Sequence, residues 1–217
     1  MTLFYFVVAS FPFAIYLLTL AWIHNRSVPF VVTGKRDFVA LCLALSGVFF
    51  IGPGQLFVTW GAAAVWGAYV WLLIAALCFL VVLLIASNKR PRLIVYNAAL
   101  ESLRKTLTTT AISLDDEACW SGSALNMPGL GVQFFVDARG FGRAFSIIRI
   151  DSGGSQEGWN RFANELKHAA LSAERAKSRA SRVVFSVLGL ALFAANAWCV
   201  LQRPDVLREA LSFYLSV

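Results

Sequence analysis

Long stretches of this chain carry apolar side chains without interruption, and short clusters of charge separate them. Residues 3–23 are apolar and uncharged, ending at His24-Asn25-Arg26. At about 1.5 Å of rise per residue, about 20 helical residues cross a hydrocarbon core about 30 Å thick. The pattern therefore predicts a first span at about 3–23. Residues 38–87 contain no Asp, Glu, Lys, Arg or His. As one helix they would reach about 75 Å, more than two bilayer cores. Two helices must share the run, about 38–59 and 62–87, with a kink or early stop at Gly52-Pro53-Gly54 and a break at Trp60-Gly61. Lys89, Arg90 and Arg92 close it. A fourth span, about 183–201, lies between Arg182 and Arg203-Pro204. Beyond it, Val206, Leu207, Ala210, Leu211, Tyr214 and Leu215 recur at helical spacing, which suits a short interfacial helix.

Between the third and fourth spans the pattern changes to that of a small water-facing domain. Leu93-Ile94-Val95-Tyr96 reads as a strand, and Asn97 as the N-cap of the helix after it. In that helix Leu100, Leu103, Leu107, Ala111 and Leu114 share one face, and Asp115-Asp116-Glu117 ends it. Strand signals follow at 118–120, at 124–127 before Pro128-Gly129, and at 131–138 and 143–150 around the turn Arg139-Gly140-Phe141-Gly142. Ser152-Gly153-Gly154 breaks the chain. A second helix from about Gln156 buries Trp159, Phe162, Leu166, Ala170 and Ala173, and runs on through Lys177 toward the fourth span.

The expected fold is an α-helical integral membrane protein with four transmembrane helices. A small α+β domain (strand, helix, three or four antiparallel strands, helix) is inserted between helices three and four, both of its helices on one sheet face. The expected divisions are 1–88 for three spans, 89–180 for the soluble domain, and 181–217 for the fourth span with the interfacial helix.

Composition agrees: 59% of the 217 residues are hydrophobic and 14% charged, against roughly 25% charged in soluble domains. The net charge of +7 is unevenly placed, because Lys/Arg and Asp/Glu balance over residues 93–178. The excess flanks the apolar runs. Arg26, Lys35, Arg36, Lys89, Arg90, Arg92, Arg179 and Arg182 fall on one side when four helices are threaded. The positive-inside rule makes that side cytoplasmic, with both termini outside an inner (plasma) membrane. Trp60, Trp66 and Trp198 form the expected outer aromatic belt and Trp22 the inner one. A basic balance of this kind reports membrane orientation, and nucleic acid is not an expected partner.

The chemistry-bearing residues are few. The predicted spans hold only Ser46, Gln55, Ser186 and Asn196 as notable polar groups, which suits hydrogen-bonded helix contacts. Small residues at four-residue steps (Ala40/Ala44, Ala64/Ala68, Ala191/Ala195) suit close helix packing. The four cysteines are scattered without metal-ligand or disulfide spacing. Cys119 and His168 are the one conceivable nucleophile and base, with His168 expected at the surface. The acidic trio lacks the alternating ligands of a calcium loop. Gly129-Leu130-Gly131 and Gly140-Phe141-Gly142 lack the setting of a dinucleotide site. Lys89, Arg90, Arg92, Arg179 and Arg182 are the candidate contacts for anionic lipid.

Arg36-Asp37-Phe38, Leu43-Ala44-Leu45-Ser46-Gly47, Gly52-Pro53 and the segment 92–97 resemble an uncharacterised bacterial family of multi-span membrane proteins with a small soluble domain. The resemblance covers residues 36–97, implies the same layout, and transfers no site. The expected function is non-enzymatic, without cofactor or metal. The cytoplasmic domain either binds a protein partner, with Trp159, Phe141 and Phe145 as a candidate exposed patch, or packs against its own spans. The alternatives are a small oligomeric transporter or channel subunit for neutral or lipidic solutes, with the homo-oligomer meeting at Ala191/Ala195, and a membrane-bound enzyme in which His24 or Asn25 converges with the insert.

Overall fold

The computed structural model describes residues 2–26, 28–52, 66–137, 144–150, 155–171, 179–202 and 204–205. The chain divides into two compact units: Met1–Ala21, Phe38–Asn88 and Val183–Val217 form one, and Trp22–Asp37 with Lys89–Arg182 the other.

The first unit is helical. Helix α1 (Thr2–Asn25) and helix α2 (Gly34–Ile51) begin or end in the other unit, while α3 (Ala68–Asn88) lies within it. Helix α6 (Arg179–Gln202) begins in the other unit and continues into this one. Among the described residues, three segments are long and apolar enough to cross a membrane: Leu3–Asn25, Tyr69–Asn88 and Arg182–Gln202. On α3, Leu72, Leu73, Leu77, Leu80 and Leu84 are all exposed. A helix apolar on all sides is compatible with membrane insertion. Helix α2 starts at Gly34, four residues before the apolar run, so Lys35, Arg36 and Asp37 belong to its first turn.

Glycine sets two of the close approaches. A Cβ built on Gly47 of α2 would overlap the carbonyl oxygen of Val8 on α1. On α6, a Cβ at Gly189 would stand 3.0 Å from Leu18 Cδ2. Phe185 packs with Leu17 and Ala21 nearby, and the Phe11 and Phe193 rings lie 6.4 Å apart.

The second unit is an antiparallel sheet with two helices. Its strands are β1 (Phe30–Thr33), β2 (Arg92–Tyr96), β3 (Cys119–Ser121), β4 (Ala124–Met127), β5 (Val132–Asp137) and β6 (Phe145–Arg149), in the order β1-β2-β6-β5-β4-β3. Four strands follow helix α4 (Leu100–Leu114), and helix α5 (Gln156–Ala170) comes last. Leu93 and Val95, Leu125 and Met127, Val132 and Phe134, and Phe145 and Ile147 alternate onto one face. They join Leu103, Leu107 and Ala111 of α4 and Trp159, Phe162 and Leu166 of α5 in a single core, so both helices cover the same face. Ser155 caps α5, its side chain accepting from the Gly158 N–H at 2.9 Å.

Two local expectations are corrected. Asn97 is not an N-cap: Ala99 holds that position without a side-chain bond, and Asn97 adopts a left-handed φ of 63°. Leu100 is exposed rather than on the buried face of α4. One strand was unassigned, β1, which comes from the loop between the first two helices. The breaks expected at 53–61, 139–142 and 152–154, the junction at 173–177, Arg203 and the helix at 206–217 lie outside the described residues.

Candidate functional site

The polar side chains that converge most closely do so where β1, the end of α1 and the start of α2 meet β2. Strand β2 ends at Tyr96, and the left-handed turn at Asn97 redirects the chain toward α4; Asn tolerates that conformation better than most residues. The last carbonyls of a helix have no intrahelical partner. Asn97 Nδ2 supplies one just beyond α1, donating to the Arg26 carbonyl at 2.8 Å.

Tyr96 donates its phenolic hydrogen to Asp37 Oδ1 at 2.5 Å. Asp37 stands in the first turn of α2, where the helix dipole favours a carboxylate. The His24 ring meets the Tyr96 ring edge-on, centroids 6.1 Å apart at 70°. His24 is 4% exposed and Tyr96 7%. The Arg26 guanidinium lies 4.6 Å from the Trp22 ring centroid and 5.5 Å from that of Phe30, within cation–π range. Gly34 is buried against the aliphatic stem of Arg92. The buried Arg92 Nε makes no hydrogen bond among the described residues.

A phenol, a carboxylate and an imidazole are groups from which proton-transfer sites are built. Here the phenol and carboxylate are bonded to each other, and the phenol and imidazole are buried together. Their visible work is to fasten the first loop to the sheet. Asp37 is the only Asp or Glu before Glu101. A lone carboxylate at the mouth of an apolar helix, four residues after a β-branched run, was the sequence signal for this arrangement, and it was missed.

The candidate lipid contacts are spread over two elements. Lys89 and Arg92 are half-buried and Arg90 exposed, all in or beside the short link from α3 to β2. Arg182 is half-buried in the first turns of α6, and the Arg179 side chain is outside the described residues. The expected exposed patch is contradicted: Trp159 is 4% exposed and Phe145 7%. Trp159 lies edge-on to Phe134 at 6.4 Å, because the apolar faces of α5 and the sheet consume each other. Phe141 lies outside the described residues.

Cys119 on β3 and His168 on α5 are both exposed. In the acidic trio, Asp115 Oδ1 accepts from the Glu117 N–H at 3.1 Å and Oδ2 from the Gly129 N–H at 2.7 Å. The trio's first carboxylate thus staples the end of α4 to the turn after β4. No group of three metal-ligating side chains occurs among the described residues. In the helical unit, Asn196 is 2% exposed. It donates to the Leu192 carbonyl at 2.7 Å and its Oδ1 stands 3.1 Å from the Ser10 hydroxyl, a helix contact whose α1 partner the sequence had not singled out. Ser46 donates to the Leu43 carbonyl of its own helix; Gln55 is outside the described residues.

Comparison of the chain with protein-family models, with curated proteins and with solved structures finds no match.

Proposed function

We propose that the chain is a four-span integral membrane protein of the bacterial inner membrane, its charged side cytoplasmic and both termini outside. Its α+β domain serves a non-enzymatic role, structural or in binding a protein partner. The resemblance of residues 36–97 to a multi-span family belongs to the same proposal. The observation that carries the reading is the Tyr96–Asp37 bond with the Asn97–Arg26 bond beside it. The polar groups best suited to chemistry are spent on joining the loop between two helices to the sheet. The three apolar helices support membrane insertion, and the basic residues beside them supply the orientation.

Cys119 provides the test, because it is exposed on β3. With Cys42, Cys78 and Cys199 replaced by serine, a membrane-impermeant maleimide should leave Cys119 unlabelled in intact cells and label it after permeabilisation. Labelling in intact cells, or recovery of the protein in the supernatant after ultracentrifugation of a detergent-free lysate, overturns the assignment.

A further inference from the structure

The sheet has a second face, opposite the one covered by α4 and α5. Since Leu93 and Val95 enter the core, Arg92, Ile94 and Tyr96 point the other way. Strand register sets Ala124, Phe135, Ile148 and Arg92 in one row across β4, β5, β6 and β2. Phe135 and Ile148 are half-buried and take no part in the core. Ile150, hydrogen-bonded through its N–H to the Gln133 carbonyl, extends the apolar strip and is 39% exposed. Asp137 and Ser146 lie in the neighbouring row with Ile94 and Val32, and Asp137 has an interaction of its own.

Three observations indicate what covers this strip. The last turn of α1 and the first turn of α2 reach the same face, at Tyr96 and Arg92. Phe30, paired with Tyr96 on that face, lies under the Arg26 guanidinium, which also stacks on Trp22. Trp22 is 59% exposed, and a Trp–Arg pair at a helix end is an interfacial anchor. Finally, β2 starts four residues after α3 ends, a reach of at most about 14 Å even when fully extended. Lys89, Arg90 and Arg92 fall in or next to that link, with Lys35 and Arg36 in the first turn of α2.

We propose that this second face is a docking surface for anionic phospholipid, with Arg92, Arg90 and Lys89 on the phosphates and Phe135, Ile148 and Ile150 against the acyl boundary. The inference rests on the membrane reading above and adds a lipid class and a contact face to it. Apolar area and basic charge acting together are what hold a folded surface at an anionic leaflet.

The test uses the full chain in liposomes with all four native cysteines replaced by serine, carrying a spin label at Phe135→Cys or separately at Ile150→Cys, and a control label at exposed Glu165→Cys on α5. In vesicles containing phosphatidylglycerol, both face labels should be shielded from a water-soluble relaxation agent, and the control should stay accessible. In phosphatidylcholine alone, or at high salt, the face labels should become accessible. Each basic residue near an anionic surface favours contact by about fivefold, so Lys89, Arg90 and Arg92 changed together to Gln should release the face even with phosphatidylglycerol. Face labels that are accessible in every lipid overturn the proposal, as does shielding indifferent to anionic lipid or to the triple change. Either failure in protein that sediments with the vesicles leaves the membrane reading intact, so the two are distinguishable.

Discussion

Replacing Asn97 by alanine strikes two things at once, a left-handed backbone position and the bond that caps α1. The left-handed conformation costs a Cβ-bearing residue roughly 1–2 kcal/mol, and loss of a buried hydrogen bond about 1 kcal/mol more. Asn97→Gly keeps the backbone and forfeits only the bond, so thermal unfolding in mild detergent should rank native above glycine above alanine. Gly47 presents the opposite case, since it contributes by lacking a side chain. Gly47→Ala drives a methyl into the Val8 carbonyl, and overpacking of this kind costs about 1–3 kcal/mol. The expected result is a lower melting temperature that Gly189→Ser, whose Cβ would stand against the flexible Leu18 side chain at 3.0 Å rather than inside a carbonyl, reproduces only in part. Neither residue's role was legible beforehand. Asn is favoured both at N-caps and in left-handed turns, and the sequence context suited the wrong one; a glycine's neighbours are not written in its own segment.

At the scale of elements, the sequence was most informative where periodicity was strong. Helix α5 repeats its apolar residues at helical spacing, and its start at Gln156 and its buried Trp159, Phe162 and Leu166 follow directly from that, whereas its Ser155 cap was not read from the sequence. Ser155→Ala should destabilise the unit by about 1 kcal/mol through the lost cap, and Phe162→Ala by about 3–5 kcal/mol through the cavity; chemical denaturation followed by far-UV circular dichroism separates the two. The same strong pattern misled where Trp159 and Phe145 were offered as a surface, because an apolar face says that it will be covered and not by what. Strand β1 escaped notice for a different reason. Four residues, Phe30-Val31-Val32-Thr33, are too few for alternation to show, and a neighbouring proline and flanking charges drew them into a loop. Their β-branched content was the available signal.

For the molecule as a whole, the long apolar helices were legible because uncharged runs of about 20 residues stand between short clusters of charge. The partition of the loop between the first two helices was not, since its partner strand lies far along the chain. A consequence is open to measurement. Residues 89–182 expressed alone would lack β1 and leave the β2 edge with Ile94 and Tyr96 uncovered, an edge that invites aggregation. Co-expression with residues 1–51 should restore soluble-domain protection from protease, and a 1–51 fragment carrying Asp37→Asn should restore less of it.

Strand β1 is also synthesised early and used late. It leaves the ribosome between the first two hydrophobic segments and must wait about sixty residues for β2, a long-range pairing of the kind that assembles slowly. If the chain is inserted as proposed above, β1 is held during that wait on whichever side of the bilayer the first two helices have placed it. Should those helices enter upside down, β1 is stranded across the lipid from its partner and the sheet ends one strand short. On the proposed topology, such a chain would carry an unpaired β2 edge where Phe30–Thr33 should lie.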